Sequence, residues 1–266
     1  MYKRVMVRYL ALLAWSAVAL TAQDWAKQKL EQSPRHREFV TVKHGDRSVE
    51  TLVVYPEAKG KASVILVIHE IFGLSDWVQE VADEFAAAGY IAVAPDLLSG
   101  MGTNGGRTNS FDQNGAIEAV GKLNPDQVTA DLQAAAAYGL KLPAAEHKLF
   151  VTGFCWGGGQ SFRFAANHPD LAAAFVFYGP PPKKEDMTRI KAPVHAFYAG
   201  NDARIDATIP ATRDAMKELG KTYDPVTYDG AGHGFMRAGE APDAAPANQK
   251  ARAESWERLK KLMSGS

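Results

Sequence analysis

The sequence is poor in cysteine, in net charge and in long apolar runs, and each shortage closes off a class of protein. Cys155 is the single cysteine in 266 residues. No internal disulfide can form, so the lone thiol is either a buried apolar filler or a reactive group. Thirty basic residues cancel thirty acidic ones, which leaves no field to gather nucleic acid or an anionic membrane surface. A small molecule is the expected partner, and a monomer the expected state. No apolar run reaches the roughly 18–20 residues of a membrane-spanning helix. The run from Tyr9 to Thr21 follows Lys3, Arg4 and Arg8 and ends in small residues before Gln23, the pattern of a secretory signal peptide. Residues 1–22 are therefore expected to direct export to the periplasm or the medium, with no stable membrane span after processing. An uncleaved N-terminal anchor is the alternative.

Repeats and low-complexity tracts are absent too, and none of the seven histidines has metal-ligand spacing to another His, Cys or Glu. No metal site is expected. What remains is an ordinary globular composition, 46% apolar and 23% charged, in a chain of single-domain length. Residues 23–45 form a polar lead-in, and 46–266 are expected to be one α/β domain.

Within that domain strands and helices alternate. Val49 to Tyr55 reads as a strand. Val64 to His69 and Tyr90 to Ala94 are continuous apolar runs of the kind buried on both faces of a sheet. A helix is expected from Asp76 to Ala88, before Gly89. Residues 96–124 read as a long irregular loop with a glycine cluster, and Asn124-Pro125 opens a helix to about Leu140. Further strands are expected at Lys148–Thr152, Ala173–Tyr178, Val194–Ala199 and Thr222–Tyr228. Helices are expected to about Asn167, over Ile209–Leu219 and over Ala247–Met263. The order implies a mainly parallel central sheet with helices on both faces. Ligands of such sheets bind at the carboxyl ends of the strands.

Four groups able to react fall at those ends: Glu70, Cys155, Asp202 and His233. Gly153-Phe154-Cys155-Trp156-Gly157 is the thiol form of a nucleophile elbow, a sharp strand-to-helix turn. A helix starting at the cysteine places partial positive charge beside the sulfur and should favour thiolate. His233, in Gly230-Ala231-Gly232-His233-Gly234-Phe235, is a candidate base on a turn that glycines leave adaptable. Asp202, after Gly200-Asn201, would hold its imidazole, with Asp206 the rival. Nucleophile, acid, base is the chain order used by α/β-hydrolases. Glu70 directly follows an apolar strand and should be partly desolvated, with a raised pKa.

Taken together these residues resemble the dienelactone hydrolase (carboxymethylenebutenolidase) family of α/β-hydrolases. The resemblance runs from about Val49 to Met263. It rests on His-Glu-Ile-Phe-Gly at 69–73, Ala-Pro-Asp-Leu at 94–97, Gly-Phe-Cys-Trp-Gly-Gly at 153–158, Gly-Asn-Asp at 200–202 and Gly-His-Gly-Phe at 232–235. It implies that Cys155 attacks an ester carbonyl to form an acyl-enzyme. His233 would move protons, oriented by Asp202, and Glu70 would hold the resting thiol. It further implies an oxyanion hole made by the backbone N–H groups of Ile71 and Trp156, and no metal or organic cofactor. Family members that act on dienelactone clamp its carboxylate with two arginines. Arg237 fits one; residues 98–102 offer no second, although Arg107 lies in the same loop. A different small ester or lactone is therefore expected. A non-catalytic binder that retained the fold is the alternative, disfavoured by the intact Cys155, Asp202 and His233. A thiol redox protein lacks the second cysteine it would need.

Overall fold

Alternation inside the apolar runs decides how the chain stacks. Strand β3 (Ala62–Ile68) is buried at every position. Its Val64, Leu66 and Ile68 join one apolar cluster, while Ile65 and Val67 join another, because successive strand side chains point to opposite faces. A computed structural model of the chain, describing residues 24–265, sets this strand near the middle of an eight-stranded sheet. The expected signal peptide, residues 1–22, lies outside the described residues.

The other strands are β1 (Arg37–His44), β2 (Arg47–Val54), β4 (Ile91–Pro95), β5 (Ala145–Phe154), β6 (Ala173–Phe177), β7 (Val194–Asn201) and β8 (Tyr223–Gly232). Their spatial order is β1-β2-β4-β3-β5-β6-β7-β8. β2 pairs antiparallel with β1 and with β4; the pairings from β4 through β3 to β8 are all parallel. Helices α1 (Asp24–Gln32), α2 (Asp76–Ala87) and α10 (Pro246–Ser264) bury residues against one face. Against the other lie α4 (Pro125–Leu140), α5 (Trp156–Asn167) and α8 (Ile209–Glu218). Shorter helices α3 (Gln113–Gly121), α6 (Lys184–Met187), α7 (Ala203–Asp206) and α9 (Phe235–Ala238) complete the described chain. This is the α/β-hydrolase fold, with the mainly parallel sheet that the alternation implies.

Two stretches hold more order than their sequence suggests. The polar lead-in carries α1 and β1: Ala26 and Leu30 are buried one turn apart, and β1 forms the outer edge of the sheet. Such a narrow apolar seam on a charged helix, and a half-exposed edge strand, leave little periodicity to read. The stretch from 96 to 124, expected as irregular, folds α3 from its N-cap Asp112, which accepts a hydrogen bond from the Gly115 N–H at 2.7 Å. Ala116, Ala119 and Val120 bury that helix against Leu98.

Candidate active site

The turn from β5 into α5 is where the backbone pays a visible cost. Cys155 sits at φ 56°, ψ −117°, a sparsely populated region for a residue with a side chain, worth about 1–3 kcal/mol of strain. The neighbourhood enforces it. The Cys155 N–H donates to the Phe177 carbonyl at 3.1 Å, and the Cys155 carbonyl accepts from Gly158 and Gly159 as α5 begins. A Cβ on Gly153 would stand 2.0 Å from the Gly157 carbonyl oxygen, and one on Gly157 2.2 Å from that of His69. Only glycine permits that approach.

The helix N-terminus does not, however, leave a thiolate. Burial pushes the Cys155 thiol above its ordinary pKa. The Trp156 N–H pulls it down, the Glu70 carboxylate pushes it up, and Arg204 and the Ile71 N–H pull it down. Burial and the Glu70 charge outweigh the two N–H groups and Arg204, so the thiol pKa rises where the sequence led us to expect a fall. The backbone N–H groups of Ile71 and Trp156 thus both point at the sulfur.

His233 follows β8 directly, and its Nδ1–H donates to Asp202 Oδ2 at 2.5 Å. Asp202 is buried, and its other oxygen accepts the Ile205 N–H as α7 begins. The rival, Asp206, ends α7 and makes no bond to His233. Tyr178 connects this pair to the cysteine. It is fully buried just past β6 at φ 39°, packs edge-on against the His233 ring at 5.1 Å, and lies within the electrostatic reach of Cys155 and Glu70. The sequence reading did not single it out. A tyrosine before Gly179-Pro180 at the end of an apolar run was the available signal.

Glu70 is 2% exposed, and burial pushes it up to about 7, against the pull of Arg237. Arg237 Nε–H donates to Glu70 Oε1 at 2.9 Å, and its guanidinium packs over the Phe72 ring. Arg237, expected as a substrate ligand, therefore has a carboxylate partner in the structure. The turn after Glu70 is braced from outside. Thr108 Oγ1 accepts the Leu74 N–H at 3.0 Å and itself donates to Asp96 Oδ1 at 2.7 Å. Thus the glycine-rich loop serves as a wall of the site. Its Arg107 lies over the Phe39 ring at 3.8 Å and stands 3.8 Å from Asp96. That side chain also lines a cavity of about 470 Å³ bounded by Phe72, Leu74, Asp76, Gln79 and Phe111.

A strained cysteine elbow and a hydrogen-bonded His–Asp pair, gathered at the carboxyl edge of this sheet, define an α/β-hydrolase. Comparison with known proteins narrows the class. The model of the dienelactone hydrolase family matches residues 49–265. A "Putative carboxymethylenebutenolidase" of Methylorubrum extorquens is 35% identical over 218 residues, 77% of this chain and 72% of that protein. One of the same name from Escherichia coli K12 is 30% identical over 217 residues, 76% of this chain and 77% of the relative. A crystal structure of a "Putative Dienelactone Hydrolase" from Klebsiella pneumoniae superposes with a TM-score of 0.76 at 26% identity, over 87% of this chain and 99% of the other. The chain belongs to the dienelactone hydrolase family and is a hydrolase.

Proposed function

We propose that the protein hydrolyses small esters or lactones through a covalent thioester on Cys155. The observation that carries this reading is the strained cysteine with two backbone N–H groups at its sulfur, at the same edge of the sheet as a histidine bonded at 2.5 Å to a buried aspartate. Burial, aided by the Glu70 carboxylate, keeps the resting thiol protonated. On attack the thiol proton passes to His233, and the Sγ–C bond forms as the carbonyl oxygen takes up negative charge. The N–H groups of Ile71 and Trp156 stabilise that charge. Collapse breaks the C–O bond, and His233 returns the proton to the leaving alkoxide. A water, deprotonated by His233, then cleaves the thioester to the acid and the free thiol. Asp202 holds the imidazole tautomer and stabilises the imidazolium. In a lactone the leaving alkoxide stays tethered to the acyl group.

Arg237 adds a preference. A carboxylate on the substrate competes with Glu70 for the guanidinium, and Arg107, drawn to Phe39 and Asp96, offers no matched second clamp. The substrate is accordingly a small ester or lactone other than dienelactone.

Mixing the purified protein with p-nitrophenyl acetate tests the nucleophile. Wild type is expected to give a burst of about one p-nitrophenol per chain followed by steady turnover. Cys155→Ala should give neither, and Cys155→Ser only weak turnover. An alanine variant with wild-type turnover would remove Cys155 from the mechanism.

A further inference from the structure

His69 takes no part in the proton transfers above, yet it touches both segments that carry the oxyanion donors. It is completely buried immediately after β3. Its Nδ1 lies 2.8 Å from the Glu70 carbonyl oxygen. That oxygen can only accept, so Nδ1 bears the proton. Burial also lowers the His69 pKa, consistent with a neutral ring. The bonded carbonyl belongs to the peptide joining Glu70 to Ile71. A trans peptide is planar, and its C=O and N–H point in opposite directions. Fixing the Glu70 oxygen toward His69 therefore aims the Ile71 N–H away from it, and that N–H reaches the Cys155 sulfur.

The face of the same ring does the second job. It stacks on the Trp156 indole, with centroids 5.5 Å apart and planes inclined by 18°. Trp156 supplies the other N–H at the sulfur. The first turn of α5 already meets the end of β3 backbone to backbone, since a Cβ on Gly157 would lie 2.2 Å from the His69 carbonyl oxygen. One side chain thus holds the plane of one donor peptide and the side chain of the other donor residue.

We propose that His69 is a positioning residue that sets the two oxyanion donors relative to each other, through its Nδ1–H to the Glu70–Ile71 peptide and its ring face on Trp156. The inference rests on the hydrolytic reading of Cys155, Ile71 and Trp156. A stabilising core residue would not have been built this way. His69 Nε2 is buried without a hydrogen-bond partner, and an unpaired buried nitrogen opposes folding. A phenyl ring would stack equally well and leave no nitrogen unpaired. What imidazole adds is the Nδ1–H, a shorter bond at 2.8 Å to a carbonyl that the Gly73 N–H also holds at 3.2 Å, so that the two together fix the peptide. That bond also polarises the amide, which strengthens its N–H as a donor.

The test separates positioning from stability. In His69→Phe the midpoint of urea unfolding should equal or exceed that of wild type, whereas kcat/KM for p-nitrophenyl acetate should fall about 10- to 100-fold, mostly in kcat. Affinity for an aryl trifluoromethyl ketone, whose thiol adduct carries an oxyanion, should fall in parallel. Alkylation by iodoacetamide develops no oxyanion, so its rate constant per thiolate, taken from the plateau of its pH profile, should stay within about twofold of wild type. His69→Asn, which returns an N–H near the Glu70 carbonyl, should recover part of the rate. A Phe variant with wild-type kcat/KM, or one whose rate falls while ketone affinity holds, overturns the role of His69 and leaves the hydrolase reading standing. A wild-type protein that neither turns over the ester nor binds the ketone overturns both.

Discussion

Of the buried carboxylate–arginine groups among the described residues, two are built from the same parts to different ends. At the carboxyl edge of the sheet Glu70 pairs with Arg237, and burial lifts the acid to about 7. Among the helices on one face, Glu80 and Glu84 of α2 converge with Glu240, their oxygens within 4.8 Å of one another. There Arg252 of α10 donates to both oxygens of Glu84 and to Glu240, Lys29 of α1 bonds Glu240, and Trp77 Nε1–H donates to Glu240 at 3.1 Å. Glu80 rises to about 9, from burial first and then from its acidic neighbours. On displacement of pKa alone the helical cluster would outrank the strand-end pair as a functional site. The difference is in the neighbours: Glu70 lies within the field of the Cys155 thiol, the proposed nucleophile, whereas the helical cluster ties α1, α2 and α10 together. A perturbed carboxylate marks chemistry only where a reacting atom lies within its field.

The sharpest way to break this contrast is Arg252→Ala. Leaving Glu84 and Glu240 with Lys29 as their remaining cationic partner should cost about 3–5 kcal/mol of stability, read by urea unfolding. The kcat per folded molecule should not change. A variant of wild-type stability would strip the helical cluster of its structural role.

Glu70→Gln should do the reverse, leaving stability little altered and changing the thiol. The Glu70 charge pushes the Cys155 pKa up, so a neutral amide should move the pH profile of iodoacetamide alkylation to lower pH. A profile at the wild-type position would detach Glu70 from the control of the sulfur.

The smallest effect is expected from Glu80→Gln. A carboxyl whose folded pKa is raised to about 9 takes up a proton on folding between its ordinary value and that one. Its contribution is complete at acid pH and lost as pH climbs toward 9. The glutamine variant, neutral throughout, should show a flatter fall of unfolding free energy from about pH 5 to pH 9. A slope as steep as that of wild type would place the titration elsewhere.

Much of the candidate site was legible in the sequence, and particular residues show why. Asn124-Pro125 announces α4, which begins at Pro125 with Asn124 accepting the N–H groups of Asp126 and Gln127. Gly153 and Gly157 announce the elbow, because a turn that tight tolerates no side chain there. Asp202 was findable from its place after the apolar run Val194–Ala199, and His233 from the glycine-rich turn after the strand expected at Thr222–Tyr228. By contrast α1 and β1 hid in polar sequence, since each buries too few residues to leave a period. Tyr178 was read as the end of a strand, and its edge-on contact with His233 is a matter of distance in space.

The order of strands and helices, the cysteine elbow and the strand-end addresses of Glu70, Asp202 and His233 were determined by the sequence itself, because periodicity, glycine and proline act over a few neighbouring residues. Tertiary structure alone decided that Arg237 meets Glu70 across 167 positions, and that Thr108 braces the turn at Leu74. It alone decided that the Cys155 pKa rises rather than falls. Desolvation and Coulomb energies add contributions from every segment packed around a group, so they exist only once distant parts of the chain have come together.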